Sequence, residues 1–301
     1  MNKQIPEFLI KMLQEQYGKE ITDKIIDGYS KKRPVTLRVN TLKNSVENVK
    51  RNLKKEGIDF EKVAWSDEAL IINNVREEKI RELDIYKNGE IYLQSLSSML
   101  PPLLLEPKKS EAILDMAAAP GGKTTQIATI TNNESSITAC EINKIRAEKL
   151  KYNIEKQGAT CVYIMVTDAR KLDDFFSFDK ILLDAPCSGS GTIEVENTDF
   201  ENGFTEKLIF KSISSQKQLL KKAMNILKSG GEMIYSTCSI LKSENEEVVK
   251  EILKQAKAKI VPINKQVLNE IPLLPVDLEG TICVCPNELY EGFYIAKIKK
   301  I

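Results

Sequence analysis

The sequence predicts an α/β protein in which a small α+β unit precedes a Rossmann-like sheet of seven mostly parallel strands. Short apolar runs alternate with amphipathic helical stretches from residue 111 onward, which is typical of a parallel sheet covered on both faces. We expect no crossover helix between the last two strands, so they should pair as an antiparallel hairpin at one edge. The predicted strands are 111–116, 136–141, 161–166, 180–185, 232–237, 259–263 and 292–298, and the predicted helices lie near 122–131, 143–157, 212–228 and 243–257.

The N-terminal part of the chain has a different pattern. Residues 35–42 alternate apolar and polar side chains, residues 45–57 have helical spacing and end at a glycine, and residues 64–72 return as a strand. The next helical stretch should break at Pro101 and Pro102, which places a junction nearby.

We therefore predict an α+β domain over residues 1–90 and a second domain over residues 91–301. Residues 31–55 contain nine basic side chains and one acidic one, Glu47. Such a segment is either a solvated surface or a phosphate-binding surface, and the residues alone leave both interpretations open.

Composition excludes several classes of function. The 301 residues contain no histidine, which excludes Ser-His and Cys-His hydrolases. Six cysteines without a C-x-x-C pair indicate neither a zinc site nor a disulfide framework. No apolar stretch approaches the roughly 20 residues of a membrane span. We expect a cytoplasmic, monomeric protein that binds neither metal nor membrane.

Residues 117–124 form a glycine-containing loop between a predicted strand and helix, where backbone N–H groups face a ligand. A phosphate loop would use Gly122 and Lys123, but the strict pattern needs glycine where Ala117 stands, and Pro120 removes an N–H. A methyl donor made of a nucleoside with an amino-acid tail has no phosphate to bind. We favour this ligand, S-adenosylmethionine.

Two acids follow the next two predicted strands. Glu141 lies about 20 residues beyond the loop, where a carboxylate can accept hydrogen bonds from both ribose hydroxyls. Asp168 follows the third strand, where it can accept from the adenine amino group. Either acid alone would be an ordinary solvated residue, but together they favour donor binding. With the strand order, they predict a class I methyltransferase fold.

Cys187 and Cys238 each follow a buried strand at the carboxyl edge of the predicted sheet. One such cysteine would usually be inert packing, but two beside a nucleoside pocket indicate covalent chemistry. A thiolate that adds to C6 of cytosine makes C5 nucleophilic enough to take a methyl group. Asp184 is a candidate to hold and protonate N3, and Lys123 to favour the thiolate. The residues alone do not decide which cysteine attacks.

These segments resemble the NOL1/NOP2/Sun (RsmB/NOP) family of RNA cytosine-5 methyltransferases. The resemblance is carried in order by VTLRVNTLK (35–43), YLQSLSS (92–98), DMAAAPGGKTTQIA (115–128), LLDAPCSGSGT (182–192), YSTCSI (235–240), SENEEVV (243–249) and GFYIAKI (292–298). It implies that Cys238 adds to C6, that Cys187 assists release of the methylated RNA, and that the N-terminal domain binds RNA. The implied donor-binding residues are Ala117, Ala118, Ala119, Pro120, Gly121, Gly122, Lys123, Glu141, Arg146, Asp168 and Asp184.

The segment TIEVENTDFENG (192–203) is acidic where many relatives carry arginines, so we expect no RNA contact there. The expected substrate is ribosomal RNA, with transfer RNA as the alternative. Two further hypotheses are a phosphate-loop ATPase and a non-catalytic RNA-binding assembly factor.

Overall fold

The computed structural model describes residues 5–195, 204–264, 268 and 270–301. Most of the acidic segment 192–203 therefore lies outside the described residues. The first element is helix α1, Glu7–Ser30, which is kinked at Gly18. Leu9, Leu13 and Ile25 of this helix pack into the core of the large sheet described below.

A small α+β unit follows α1. Its strands pair antiparallel in the order β2-β3-β1-β4 and enclose a core of their own with α2. The predicted α+β unit is confirmed, and its last strand lies beyond residue 90. The elements are β1 (Val35–Val39), α2 (Val46–Lys55), β2 (Phe60–Val63), β3 (Ser66–Ile72), α3 (Glu77–Glu82), α4 (Asp84–Lys87) and β4 (Ile91–Leu93).

Helix α5, Leu96–Leu105, continues through Pro101 and Pro102, so the break predicted at these prolines is wrong. A proline has no N–H to donate to the carbonyl four residues earlier. For Pro102 that carbonyl belongs to Ser98, and the Gln94 side chain donates to it at 3.1 Å. A side chain thus replaces the missing backbone donor.

The large sheet has the order β11-β12-β13-β9-β8-β5-β6-β7, with β10 also paired to β13. Strands β5 to β9 pair parallel with one another, and β9 pairs antiparallel with β13. The elements are β5 (Ala112–Asp115), α6 (Gly122–Ile130), β6 (Ser136–Cys140), α7 (Lys144–Gln157), β7 (Val162–Met165), β8 (Phe178–Asp184), α8 (Glu206–Ile226), β9 (Leu227–Thr237), α9 (Glu246–Gln255), β10 (Ala258–Ile260), β11 (Leu273–Leu274), β12 (Ile282–Val284) and β13 (Phe293–Lys300).

The seven predicted strands are present, but the edge of the sheet differs from the prediction. The antiparallel pairing of β10 with β13 is confirmed. However, β13 does not lie at the edge, because β9 pairs on one side of it and β12 on the other. The sequence analysis missed β11 and β12, which are two and three residues long. Strands this short do not produce a recognisable alternating pattern.

Arg38 of β1 connects the two units. Its guanidinium is 3% exposed and donates to the carbonyl of Gly122 at 3.3 Å, to the hydroxyl of Thr125 at 3.1 Å and to the side-chain oxygen of Gln94 at 3.2 Å. A buried guanidinium needs such acceptors to offset the loss of water. The contact fixes the small sheet against the first turn of α6.

The strand order changes direction at β5, which has β6 on one side and β8 on the other. Ligands of open α/β sheets bind at the carboxyl ends of the strands near such a point. Here β5 ends at Asp115, β8 at Asp184 and β9 at Thr237. The fold therefore brings the glycine loop and both cysteine segments to one edge.

Candidate active site

A cavity lies above β5 and the start of α6. Its lining includes the backbone of residues 117–120, the side chain of Lys123 and two carboxylates, Asp115 and Asp184. Tyr92 of the small sheet and Ser95 cover its other side. The loop predicted to bind the donor is thus brought together with Lys123 and Asp184, as the sequence analysis expected.

Two glycines shape this loop by close packing. Gly121 has a φ of 109° and so adopts a conformation that favours glycine. A Cβ atom on Gly122 would lie 2.9 Å from the ring of Tyr92. Any side chain at that position would push the small sheet away from the loop.

Asp115 is a site residue that the sequence analysis did not identify. Its carboxylate accepts from the Thr124 hydroxyl at 2.7 Å and from the Ala117 N–H at 3.4 Å, so it ties both ends of the loop to β5. Burial raises its pKa to about 6, and the charge of Asp184 adds to the effect. Its position as the last residue of a buried strand, next to the loop, was the available signal.

Arg146 links Glu141 to the donor loop. Its guanidinium lies 3.7 Å from the Glu141 carboxylate and donates to the Ala119 carbonyl at 2.7 Å. Glu141 itself is 3% exposed and accepts from the Asn143 N–H at 2.8 Å. These two predicted residues therefore brace the loop from the end of β6.

Asp168 lies apart from this group, at the end of β7. Both of its carboxylate oxygens accept from the Arg170 side chain, at distances from 2.7 to 3.1 Å. The hydrogen bonds from Arg170 hold the pKa of Asp168 below its ordinary value. Neither Asp168 nor Glu141 lines the cavity above β5.

Lys123 and Asp184 form an ion pair with 2.7 Å between Nζ and Oδ2. The other carboxylate oxygen of Asp184 accepts from the Ser236 hydroxyl at 2.8 Å. Burial alone would lower the pKa of Lys123, but the charges of Asp184 and Asp115 outweigh it and the pKa is raised. Lys123 is therefore a permanent cation in this cavity at neutral pH.

The two predicted cysteines come together at the ends of β8 and β9. Their Sγ atoms are 3.1 Å apart, which is hydrogen-bond distance for sulfur. The Gly191 N–H donates to the Cys238 carbonyl at 2.9 Å, so the segment after Cys187 is tied to the segment that carries Cys238. Both thiols are free.

A buried carboxylate, Glu244, holds the two cysteine segments together. It accepts from the N–H and hydroxyl of Ser188 at 2.8 and 2.6 Å, and from the hydroxyl of Ser239 at 2.6 Å. Ser188 follows Cys187 and Ser239 follows Cys238. Glu244 is fully buried, and among the described residues no lysine or arginine lies within ion-pair distance. The motif SENEEVV contained this residue, but the sequence analysis gave it no role.

The two thiols therefore have different electrostatic surroundings. Cys238 is one of the groups that interact electrostatically with Lys123, which places a cation near this sulfur. The hydrogen bond with Cys238, burial and the charges of Cys238 and Glu244 hold the pKa of the Cys187 thiol well above its ordinary value. Cys187 stays protonated at neutral pH.

The charges of the cavity distinguish a nucleoside triphosphate from the methyl donor. A triphosphate would meet the carboxylates of Asp115 and Asp184 as like charges, and Lys123 is already paired. S-adenosylmethionine carries a sulfonium and an ammonium cation, which these carboxylates can balance. The residues present thus fit the methyl donor.

Two family models match the chain. That of the 16S rRNA methyltransferase RsmB/F matches residues 102–299, and that of the ferredoxin-like domain of RsmF/B-like methyltransferases matches residues 5–77. The chain belongs to the RsmB/F family. Membership confirms the predicted family, the class I methyltransferase fold and S-adenosylmethionine as the methyl donor.

Curated relatives of this RsmB/F chain act on two kinds of RNA, according to their names. The tRNA (cytosine(49)-C(5))-methyltransferase of Pyrococcus abyssi is 34% identical over 94% of this chain and 97% of its own length. The ribosomal RNA small subunit methyltransferase F of Shewanella oneidensis is 33% identical over 98% of this chain. The alignment covers 63% of that relative, so this chain spans about three fifths of its length.

Solved structures agree with this family assignment. A methyltransferase homologue from Pyrococcus horikoshii has a TM-score of 0.83 and 30% identity, with 99% of this chain and 100% of the other covered. NSun6 from Pyrococcus horikoshii, solved with the donor analogue SFG, has a TM-score of 0.85 and 26% identity, with 100% and 99% covered.

Metal-binding clusters and membrane-spanning helices are both missing from the described part of the chain. No group of three metal-binding side chains there is close enough to hold an ion. No helix within the same residues combines the length and apolar character needed to cross a membrane.

Proposed function

We propose that this protein methylates C5 of cytosine in RNA, with S-adenosylmethionine as donor. The observation that carries the proposal is the pair of cysteines, 3.1 Å apart, at the sheet edge that also holds the donor loop. Other nucleoside-binding methyltransferase reactions do not call for two adjacent thiols. Addition of a thiolate to a pyrimidine ring does.

In the proposed mechanism the Cys238 thiolate forms a bond to C6, and the C5–C6 double bond supplies the electrons that make C5 nucleophilic. S-adenosylmethionine, when bound, supplies an electrophilic methyl group. The C5–methyl bond forms as the methyl–sulfur bond of the donor breaks. The C5 proton then passes to water, the C5–C6 double bond re-forms, and the S–C6 bond breaks to return the thiolate. The target cytosine must be unpaired or extruded to expose both carbons.

The surroundings of the thiols support Cys238 as the nucleophile, independently of the family resemblance. Lys123 places a positive charge near Cys238, whereas the hydrogen bond with Cys238, burial and the charges of Cys238 and Glu244 raise the pKa of the Cys187 thiol and oppose a thiolate there. A protonated Cys187 can donate its S–H to the departing Cys238 sulfur. That interaction accounts for a role of Cys187 in product release.

Asp184 and Lys123 are proposed to act together on the edge of cytosine that carries N3. The Asp184 carboxylate, paired with Lys123, can accept a hydrogen bond from the amino group of cytosine. A proton or hydrogen bond for N3 is then supplied by the Lys123 ammonium. This changes the sequence-based assignment, in which Asp184 was the proton donor.

The donor-binding set stays as predicted from the sequence. Within it the loop residues other than Gly121 line the cavity, and Glu141 with Arg146 braces the loop. Asp168 is included because it follows β7. We propose that its carboxylate accepts a hydrogen bond from the adenine amino group and keeps its hydrogen bonds from Arg170. The members are Ala117, Ala118, Ala119, Pro120, Gly121, Gly122, Lys123, Glu141, Arg146, Asp168 and Asp184.

Ribosomal RNA is the substrate we propose first, and transfer RNA is the alternative. Relatives with either kind of name match nearly the whole chain. The RNA-binding domain over residues 1–90, the methyltransferase domain over 91–301, a monomeric state and a cytoplasmic location also stay predictions.

Methyl transfer from labelled S-adenosylmethionine to separated ribosomal and transfer RNA fractions tests the proposal. We expect labelled 5-methylcytosine in one fraction, identified after nuclease digestion, and none with Cys238→Ala. Labelled nucleosides of another kind, or none from any RNA, would contradict it. If the producing strain needs the protein but tolerates Cys238→Ala, a non-catalytic role in RNA assembly is favoured.

A further inference from the structure

Three basic side chains from separate elements converge where the small sheet meets α7. Lys43 follows β1, Arg81 belongs to α3, and Lys156 lies in the last turn of α7. Arg81 and Lys156 line one groove together with the polar side chains of Asn153 and Gln157. Among the described residues, no carboxylate lines this groove.

The charges in this cluster are only partly neutralised. Arg81 forms an ion pair with Glu77. No described carboxylate lies within ion-pair distance of Lys156 or Lys43, although Lys43 donates to the Asn88 carbonyl at 2.9 Å. Burial lowers the pKa of Lys156, and the positive charges of Arg81 and Lys43 lower it further. An anion in the groove would relieve this repulsion.

Aromatic rings hold the cations in place. The Lys156 ammonium lies 3.7 Å from the centre of the Tyr86 ring, and the Arg81 guanidinium lies 5.3 Å from the same centre. Tyr152 is 61% exposed, with its ring centre 5.8 Å from the Lys156 ammonium. Cations restrained by tyrosine rings lose less side-chain entropy when they bind an anion. The exposed Tyr152 ring offers a surface on which a base could stack.

The groove adjoins the donor cavity. Tyr92, Leu93 and Pro120 line both, so the boundary between them is a single layer of residues. Pro120 belongs to the donor loop, and Tyr92 packs on its Gly122. A polyanion bound in the groove would therefore continue toward the edge of the sheet that carries the cysteines.

We propose that this groove, lined by Arg81, Lys156, Tyr86 and Tyr92, with the charge of Lys43 nearby, binds a backbone phosphate of the RNA substrate at a nucleotide near the target cytosine. The inference rests on the proposed function for the identity of the polyanion. The site is built by residues of both units, and Arg81 and Lys156 lie outside the basic segment 31–55 that the sequence analysis singled out. The ligand chemistry is a phosphodiester with a neighbouring base.

RNA affinity tests this proposal without methyl transfer. The probe is a labelled single-stranded RNA of about 20 nucleotides, measured by filter binding over a series of potassium chloride concentrations with Lys156→Ala and Lys156→Glu. We expect affinity to fall about threefold or more for the first and further for the second. The slope of log affinity against log salt should decrease by about 0.7 for one lost phosphate contact. Lys156→Arg should keep the wild-type affinity.

Lys151→Ala is the matched control, because Lys151 is an exposed lysine of the same helix on a different face. This variant also removes one positive charge, but from outside the groove, so its RNA affinity and salt slope should stay close to those of the wild type. Equal losses for Lys151→Ala and Lys156→Ala, or no loss for Lys156→Glu, would overturn the proposal. Circular dichroism melts verify that each variant is folded.

A second measurement separates this proposal from the proposed function. In the methylation assay Lys156→Ala should raise KM for RNA and leave kcat and donor affinity unchanged. If the wild type binds RNA through the groove but forms no 5-methylcytosine, the proposed function fails and the groove stands. If the wild type is active and KM of Lys156→Ala is unchanged, the groove proposal fails alone. Binding of free nucleoside monophosphate with equal affinity would also contradict an RNA-specific site.

Discussion

The sulfur atoms of Cys187 and Cys238 lie 3.1 Å apart, although 51 positions separate the residues in the sequence. The carboxylate of Glu244 sets this arrangement, because it accepts from the serine that follows each cysteine. The same carboxylate places a negative charge beside the Cys187 thiol. Geometry and electrostatics at this pair thus have one common cause.

The first prediction concerns the two cysteines. Cys238→Ala should abolish methyl transfer and leave no covalent complex, because no thiolate can add to C6. Cys187→Ala should accumulate a protein–RNA complex that survives denaturation, since release loses its hydrogen-bond donor. Denaturing gel electrophoresis with labelled RNA measures both. Cys161→Ala, outside the site, is the control, and a trapped complex with Cys238→Ala would reverse the assignment.

The second prediction concerns Glu244. Glu244→Gln keeps the size of the side chain and removes its charge, so the pKa of the Cys187 thiol should fall. Peptide-resolved alkylation by iodoacetamide should become faster for Cys187 at a fixed pH, because a larger fraction of this thiol is ionised. Glu247→Gln is the control, because it removes the charge of an exposed glutamate close to Glu244 in the sequence. Cys187 in this variant should be alkylated at the wild-type rate. An unchanged alkylation rate of Cys187 in Glu244→Gln would show that the Glu244 charge does not raise the pKa of this thiol.

The third prediction concerns Lys123. Lys123→Met removes the cation that pairs with Asp184 and lies near Cys238, so adduct formation at neutral pH should fall about 10- to 100-fold. Lys123→Arg keeps the charge and should retain more adduct formation than Lys123→Met. The rate of adduct formation is measured by denaturing gel electrophoresis, and a wild-type rate for Lys123→Met would contradict a role of this cation.

The fourth prediction concerns Asp115. Its pKa is raised from 3.8 in the unfolded chain to about 6, so the folded protein binds this proton more tightly. The resulting stabilisation is complete below pH 3.8 and is lost as the pH rises through 6. The free energy of unfolding of Asp115→Asn relative to the wild type should therefore increase by about 2 kcal/mol between pH 4 and 7. Urea unfolding at several pH values measures it.

Asp179→Asn is a control of opposite sign for the Asp115 experiment. The hydrogen bond from Lys228 holds the pKa of Asp179 below its ordinary value. Asp179 therefore contributes to the free energy of unfolding at neutral pH, and this contribution is lost in acid. This variant should lose stability relative to the wild type as the pH rises from 3 to 6. If both variants changed in the same direction, the pKa shift of Asp115 would not be the cause.

The sequence by itself determined the α/β class, the strands that end at Asp115 and Asp184, and the candidate residues around the loop and cysteines. These features depend on local apolar periodicity and on residues adjacent to strand ends, which can be read over short windows. The absence of histidine, a matter of composition alone, also limited the acid-base chemistry available to the site. Resemblance, and not pattern, selected Cys238 over Cys187.

Only the tertiary structure decided which charges face each thiol. Lys123, Cys187 and the segment that carries both Cys238 and Glu244 are far apart in the sequence, and no local pattern encodes their distances. The same holds for β12, which is too short to recognise until β13 pairs with it, and for α5, whose prolines are tolerated because Gln94 reaches the Ser98 carbonyl. Contacts between distant segments form only on folding, because burial of the whole core offsets the entropy lost in ordering them.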